Sequence, residues 1–321
     1  MPEPQRAGQI RRVAKRVLGS LLGLLLLLGA LWVLRREFGE HSIHEVLAIL
    51  RRLPLSWIAL SLFATILGYA ALASQDLLAL SALDIRLPKW KAALAGFAGF
   101  AFANNLPFAV VVGGAVRARF YRGSRLSASR TTQLVLFNTA TYALGLLAAT
   151  GLTFTFEPRS VPGLLHLPIH STRPLGEFAL VVLGLLLYWS VRGGPPVHFF
   201  KRTFRPTPIG MTLARTGVSL LDWILSGAAL FVLLPGADAY HFIGFLGVFM
   251  LGQVAGLIAQ VPGGIGVFEA VVVATLRRSV PVPAIFAALI AYRVIYSLFP
   301  LMVATVIFGI HEVRRTHQRH H

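Results

Sequence analysis

The sequence predicts an all-α polytopic membrane protein, with about six full spans plus two re-entrant broken helices in an inverted repeat. Three observations carry that prediction. The 321-residue chain is 56% hydrophobic and only 13% charged, where soluble domains hold about 25% charged residues. Several apolar runs are as long as the ~20 residues a helix needs to cross hydrocarbon. Two more apolar runs are interrupted by Asn, Pro and Gly where a plain span would continue.

The elements follow in chain order. Arg6, Arg11, Arg12, Lys15 and Arg16 precede a leucine-rich run that ends in Leu-Arg-Arg-Glu. No small-residue cleavage site follows, so 17–34 is an uncleaved anchor span and not a leader. Continuous spans follow at 56–80, 132–154, 176–191, 217–234 and 284–309. The first broken stretch is 92–112, with Asn104, Asn105 and Pro107 inside; the second is 242–276, with Pro262, Gly263 and Gly264 inside. The expected division is 1–55 (basic segment, anchor and outer loop), 56–192 and 193–321. The first repeat, 56–192, holds the re-entrant element 92–122 and an extra span. The second, 193–321, holds the re-entrant element 242–278 and a basic tail.

Lysines and arginines concentrate on the cytoplasmic side of membrane proteins. With both termini cytoplasmic and each broken stretch returning to its own side, 21 of the 30 cations lie inside and eight outside, with Arg293 within a span. If the first stretch crossed instead, the five arginines of 113–131 would lie outside. The re-entrant topology gives the two halves opposite sense, the arrangement from which many transporters build one midplane site. The segments NNLPFAVVVGGAVRARFYR and AQVPGGIGVFEAVVVATLRR support a repeat. Each has a small or polar pair, an apolar-Pro step, a Gly-Gly and then a helical pattern, although the Pro-to-Gly-Gly spacing differs.

The formal net charge of +18 sits between spans, where anionic lipid headgroups are the nearer partner; no nucleic acid is expected. The absence of cysteine excludes disulfides and thiol catalysis. No Walker A pattern, HExxH or Ser-His-Asp set is present, so neither an enzyme reaction nor a cofactor or metal is expected. His166 and His170 have metal-like spacing, but Pro168 between them reads as a loop; His41 and His44 read as interfacial.

Backbone that leaves helical pairing inside a membrane strands polar groups and persists only against protein or a wet cavity. Gly113-Gly114 and Gly263-Gly264 let a ligand approach the start of a half-helix, whose free N–H groups suit anions. Arg117 and Arg119 follow the first pair, and arginine binds phosphate bidentately. These features describe a receptor for an anionic lipid headgroup. Arg122, Arg125 and Arg130 read as snorkelling anchors. Four more ionisable residues, Asp76, Asp222, Glu269 and Arg293, fall at membrane depth, where charges face a partner or a cavity. Arg293, flanked by Tyr292 and Tyr296, is the best intramembrane partner for Glu269, which could equally take a headgroup amine. Asp76 and Asp222 lie within reach of the 113–122 arginines, as structural ion pairs or as part of the site. Gly96, Gly99 and Ala103 form a small-residue face that permits close packing.

The motifs VGGAVRARFYRGSRLS, LLDW followed by LLP, and AQVPGGIGVFEAVVV resemble the membrane region of the lysylphosphatidylglycerol synthase/flippase family (MprF-like). The resemblance spans most of the chain. It implies a bacterial inner-membrane flippase or scramblase for an anionic or aminoacylated phosphatidylglycerol, contributing to resistance against cationic antimicrobial peptides. The motif residues it carries over are Gly113, Gly114, Arg117, Arg119, Tyr121, Asp222, Pro262, Gly263, Gly264 and Glu269. Full-length members add a soluble aminoacyl-transferase domain, and here the chain stops soon after its last span. The expectation is therefore a transporter-like protein and not an enzyme. Its alternatives are a lipid-presenting subunit of a separate synthase or a polyprenyl-phosphate translocase. A homodimer and a separate aminoacyl-transferase protein are the protein partners compatible with it.

Overall fold

The computed structural model describes residues 43–106, 108–122, 124, 126–160, 171–193, 197–199, 202–204, 207–235, 241–259 and 261–317. The expected anchor 17–34 with its basic leader, His41, Pro107, Arg125, the 166–170 histidine pair and the tail after 317 lie outside them. The helices are α1 (Ile43–Arg52), α2 (Leu55–Ala82), α3 (Lys89–Ala103), α4 (Ala109–Tyr121), α5 (Ala128–Phe156) and α6 (Arg173–Arg192). A small antiparallel hairpin, β1 (Val197–Phe199) and β2 (Arg202–Phe204), leads to α7 (Ile209–Phe231), α8 (Phe242–Ala259) and α9 (Val267–Leu276). A last rod joins α10 (Val282–Tyr292), a π-helical turn at Arg293–Leu298 and α11 (Phe299–His317). The chain is a multi-pass membrane protein, all-α among the described residues apart from that hairpin.

Prolines set several of the starts. Pro54, Pro88, Pro208 and Pro281 each sit at the cap position before a helix, with φ between −51 and −58°. Proline has no N–H to leave unpaired there and its φ suits helix entry. Ser127 caps α5 by accepting the Arg130 N–H. Among the described residues, five helical stretches are long and apolar enough to cross a bilayer: Leu55–Ala82, Ala128–Phe156, Arg173–Arg192, Phe242–Ala259 and Val282–Val313. Outward-facing Leu60, Phe63, Val181, Leu185, Met302 and Val306 are exposed, which in a membrane means lipid-facing.

Two helices differ from the sequence expectation. The span expected at 217–234 is a helix that begins at Ile209 and ends at Phe231. Arg215 and Asp222 lower its hydropathy, and it is not among those five. The second broken stretch was expected only to dip into the bilayer, yet its first arm, α8, is itself long enough to cross. Both broken stretches do break. Helix α3 ends at Ala103 and α4 opens at Ala109; α8 ends at Ala259 and α9 opens at Val267.

Each broken stretch folds back as a helical hairpin, and the two open at opposite ends of α5. The open end of α3–α4 is tied by Lys91 Nζ donating to Ser124 Oγ, 2.6 Å. It lies beside the α5 N-terminus, where Arg130 donates to the Leu83 carbonyl. The α8–α9 hairpin opens beside the other end of α5, with Gly244 packed on Arg159 and Gly247 near the Glu157 carbonyl. The two tips meet: a Cβ on Gly263 would lie 3.2 Å from the Asn104 carbonyl oxygen. Around this axis α7 runs antiparallel to α2, with Ser61 Oγ on the Ala229 carbonyl and Gly68 on Asp222. It runs parallel to α5, with Arg215 on Thr141 and Ser219 on Gly145.

Candidate functional site at the hairpin tips

The first hairpin is built around a fully buried ion pair. Arg117 Nε donates to Asp76 Oδ1 at 2.9 Å and Nη2 to Oδ2 at 2.8 Å. Tyr121 Oη donates to Oδ1 at 3.2 Å and Asn138 Nδ2 to Oδ2 at 3.0 Å. Asp76 and the Arg117 side chain are 0% and 4% exposed. The guanidinium also lies over the Phe100 ring and reaches back to the Gly113 carbonyl. The small-residue face of α3 makes room for this pair. A Cβ on Gly96 would fall 2.7 Å from Asp76 Oδ2, and one on Gly99 would fall 2.7 Å from Arg117 Nη1.

The second hairpin carries a partly open pair. Arg293 Nη2 meets Glu269 Oε1 at 2.6 Å, with side chains 24% and 12% exposed. The other Glu269 oxygen accepts the Gly266 N–H at 2.6 Å, so the carboxylate caps the start of α9, where the helix dipole favours negative charge. Arg293 Nη1 donates to the Gly263 carbonyl at 2.8 Å. Gly263, Gly264 and Gly266 all have φ between 61 and 86°, a conformation that side-chain-bearing residues avoid. This loop therefore depends on its glycines. At the other tip Phe108 holds φ 59° and its ring is exposed. For a bulky residue that conformation stores strain.

The π-helical turn binds both tips. Pro300 has no N–H for the Tyr296 carbonyl four residues earlier, and its ring crowds that carbonyl. The helix adapts by widening, with the Phe299 N–H donating to Val294. Side chains from other elements then use the carbonyls of this turn: Tyr69 Oη donates to Tyr296 O at 3.2 Å, and Asn105 Nδ2 to Ser297 O at 3.2 Å. Tyr292 and Tyr296 stack with centroids 5.1 Å apart. Asp222 lies behind them. It accepts from Tyr296 Oη at 3.4 Å, and Ser226 Oγ donates to that same hydroxyl at 2.5 Å.

A polar seam continues from Asp222 between α2, α5 and α7. Buried Arg215 donates to Thr141 Oγ1 and the Phe137 carbonyl and stacks on the Phe137 ring. Between it and Asp222 lies Ser219 Oγ, and beside Asp222 Trp223 follows; Ser219 Oγ and Trp223 Nε1 are buried with no hydrogen-bond partner among the described residues. Gln75 and Asn138 Oδ1 on the facing helices are unpartnered too. An unsatisfied buried polar group costs about 1–3 kcal/mol, so such a seam is a place for water.

The structure thus gathers Gly263, Glu269 and Arg293 at the tip junction, with Gly264 closing on Gly256 of α8. The Pro262 backbone begins the turn. It gathers Asp76, Arg117, Tyr121 and Gly113 into the other pair, while Arg119 stands apart at the exposed end, 3.5 Å from Glu312. Gly113 and Gly114 do not open a half-helix as expected. The helix opens four residues earlier, at Ala109. Gly113 instead lets α4 approach the Gly99 carbonyl, where a Cβ would be 3.0 Å away, and Gly114 meets Val135 in ordinary contact. Asn105, Tyr69, Asn138, Arg215 and Pro300 were not singled out by pattern as site residues. Pro300 inside an apolar span was the readable signal.

The family model described as lysylphosphatidylglycerol synthase TM region matches residues 20–304. The chain is 33% identical to the uncharacterized protein slr0712 of Synechocystis sp., over 95% of this chain and 94% of that protein. It is 30% identical to the inner membrane protein YbhN of Escherichia coli, over 76% of each. It is 23% identical to a phosphatidylglycerol lysyltransferase of Staphylococcus xylosus, over 89% of this chain but 33% of that protein.

Proposed function

The chain belongs to the lysylphosphatidylglycerol synthase TM-region family, and from that premise we propose that it moves an anionic or aminoacylated phospholipid between leaflets of a bacterial inner membrane. One observation carries the reading. Two broken hairpins enter from opposite ends and meet at Asn104 and Gly263, beside the partly accessible Glu269–Arg293 pair. Arg293 suits a lipid phosphate and Glu269 a headgroup amine. The hairpins form the cores of two inverted repeats, 56–192 and 193–321, whose rocking opens the junction to either leaflet. Both termini are cytoplasmic, acyl tails stay in the bilayer, and delivery of a lysyl-type lipid outward makes the surface less attractive to cationic peptides.

Reconstitution into vesicles containing fluorescent phosphatidylglycerol tests this. Wild type speeds lipid crossing, and Arg293→Gln slows it by about tenfold, the loss of one charge-assisted contact. Equal rates for the two would remove the site from the mechanism. The Staphylococcus xylosus relative, matched over one third of its length, motivates a second reading, in which the chain presents lipid to a separate transferase. Copurification of such an enzyme, with no lipid crossing by this chain alone, is its signature.

A further inference from the structure

The carboxylates Asp76, Asp222 and Glu269 of the membrane interior are not alike. Asp76 is matched by Arg117 and Glu269 by Arg293. Asp222, 3% exposed, has no cationic side chain within ion-pair distance among the described residues, and its polar neighbours are hydroxyls. The groups facing it are Tyr69 from α2, Tyr142 from α5, and Tyr292 and Tyr296 from the last rod. Arg215 on its own helix is two turns away and engaged with Thr141. Helix α8, which also packs on α7, carries no charged residue along its length. An uncompensated carboxylate in so dry a place is far more costly than a neutral acid.

We propose that Asp222 is a proton-coupling site: it holds a proton in this conformation and exchanges it with water as the hairpins rearrange. The step is a simple transfer, in which an O–H bond forms on an Asp222 oxygen as a hydronium gives up its proton, and the reverse on release. The inference rests on the lipid-moving reading and adds the energy source to it.

Two features give the proton a route and a consequence. The Ser219 Oγ and Gln75 amide, unpartnered among the described residues, lie along the seam from Asp222 towards Arg215. The antiparallel register of α2 on α7 sets Gln75 level with Arg215, since Ser61 faces Ala229 and Gly68 faces Asp222. Bound water along that seam connects Asp222 to the membrane face at which α7 begins. The consequence runs through Tyr296. Its hydroxyl touches Asp222, and its carbonyl and that of Ser297 hold Tyr69 and the Asn105 of the first tip. Arg293 of the same turn holds the Gly263 carbonyl of the second tip. Charging Asp222 strengthens its demand on the Tyr296 hydroxyl, and so bears on the one turn that grips both tips.

The test uses the full chain, by infrared difference spectroscopy and in vesicles of phosphatidylcholine and fluorescent phosphatidylglycerol carrying an imposed pH gradient. Wild type shows a protonated-carboxyl stretch at neutral pH that is absent in the near-isosteric Asp222→Asn. The gradient shifts the inner-to-outer lipid ratio by up to about tenfold per pH unit, the ceiling for one proton per lipid. Asp222→Asn still equilibrates lipid but ignores the gradient. Tyr296→Phe keeps the infrared band and loses most of the gradient response, which a merely structural tyrosine would not do. Lack of any Asp222-dependent band overturns the proposal. So does a lipid ratio that ignores the gradient while wild type equilibrates lipid freely, and that result leaves the lipid-moving reading intact. Absence of lipid crossing in wild type strikes the lipid-moving reading and takes the coupling with it, even where the band shows that Asp222 is protonated.

Discussion

Each hairpin takes part in one arginine–carboxylate pair, Arg117 of the first with Asp76 and Glu269 of the second with Arg293, yet the two pairs differ in burial and in their remaining bonds. Asp76–Arg117 is sealed, with five side-chain hydrogen bonds to the carboxylate from three residues and an aromatic ring over the guanidinium. Glu269–Arg293 is partly open, and its remaining bonds go to the backbone of a glycine-rich loop. A sealed pair cannot exchange partners without leaving a naked charge, so it fixes the position of α4 against α2 and α3. An open pair beside a glycine-rich loop can exchange partners. The same chemistry is thus sealed from solvent at one hairpin and partly exposed at the other. Burial, not residue type, makes the difference.

The comparison breaks most sharply at Arg117. Arg117→Ala leaves Asp76 buried and unpaired, and a severed buried pair costs about 3–5 kcal/mol. Thermal unfolding in detergent should show the largest loss of any single substitution considered. Replacing both partners, as Asp76→Leu with Arg117→Met, recovers much of that loss, because an apolar pair of similar volume leaves no charge stranded. A double variant as unstable as Arg117→Ala would show that the pair contributes more than neutrality.

Next comes Gly99→Ala. Its Cβ would meet Arg117 Nη1 at 2.7 Å, and overpacking of this kind costs about 1–3 kcal/mol. The open pair behaves otherwise. Arg293→Gln should change stability by no more than about 1 kcal/mol, as expected for a partly solvated pair, while slowing lipid crossing. If Arg293→Gln unfolds the protein as readily as Arg117→Ala, the contrast between the pairs fails.

Much of this could be read before the structure. The breaks at Asn104–Asn105 and at Pro262–Gly264 announce themselves as polar and helix-breaking residues in apolar runs. Glu269 and Arg293 are opposite charges at membrane depth in one half of the chain, which is reason enough to pair them. The partner of Arg117 stayed open because Asp76 is 41 residues away, across a loop and a helix whose register no local pattern states. The Gly96 and Gly99 face promised close packing without saying onto what. The Gly113-Gly114 motif looked like a helix start because glycine serves both helix starts and helix crossings. Only the neighbouring Gly99 carbonyl decides between the two. Arg215 precedes the span expected at 217–234 and so falls among the inside cations, but α7 begins eight residues earlier and takes it into the helix, where it is buried. Pro300 is local and legible, but its effect is to free a carbonyl for Tyr69, which only tertiary structure supplies.

The smallest effect belongs to Arg119, and it sharpens the contrast from the other side. Arg119 shares its helix with Arg117 and lies two residues on, yet its side chain is 48% exposed and its 3.5 Å pairing with Glu312 is at the limit of an ion pair. Exposed pairs contribute about 0–1 kcal/mol, and a helix places i and i+2 on different faces. Arg119→Ala should therefore leave thermal stability within about 0.5 kcal/mol of wild type, with the result insensitive to added salt. Its effect on lipid crossing separates two roles that exposure alone leaves joined. If Arg119 gathers anionic headgroups at the entrance, its loss slows crossing most in vesicles poor in anionic lipid and least in vesicles rich in it. A role confined to holding α11 through Glu312 predicts instead that Glu312→Gln reproduces Arg119→Ala in every vesicle composition.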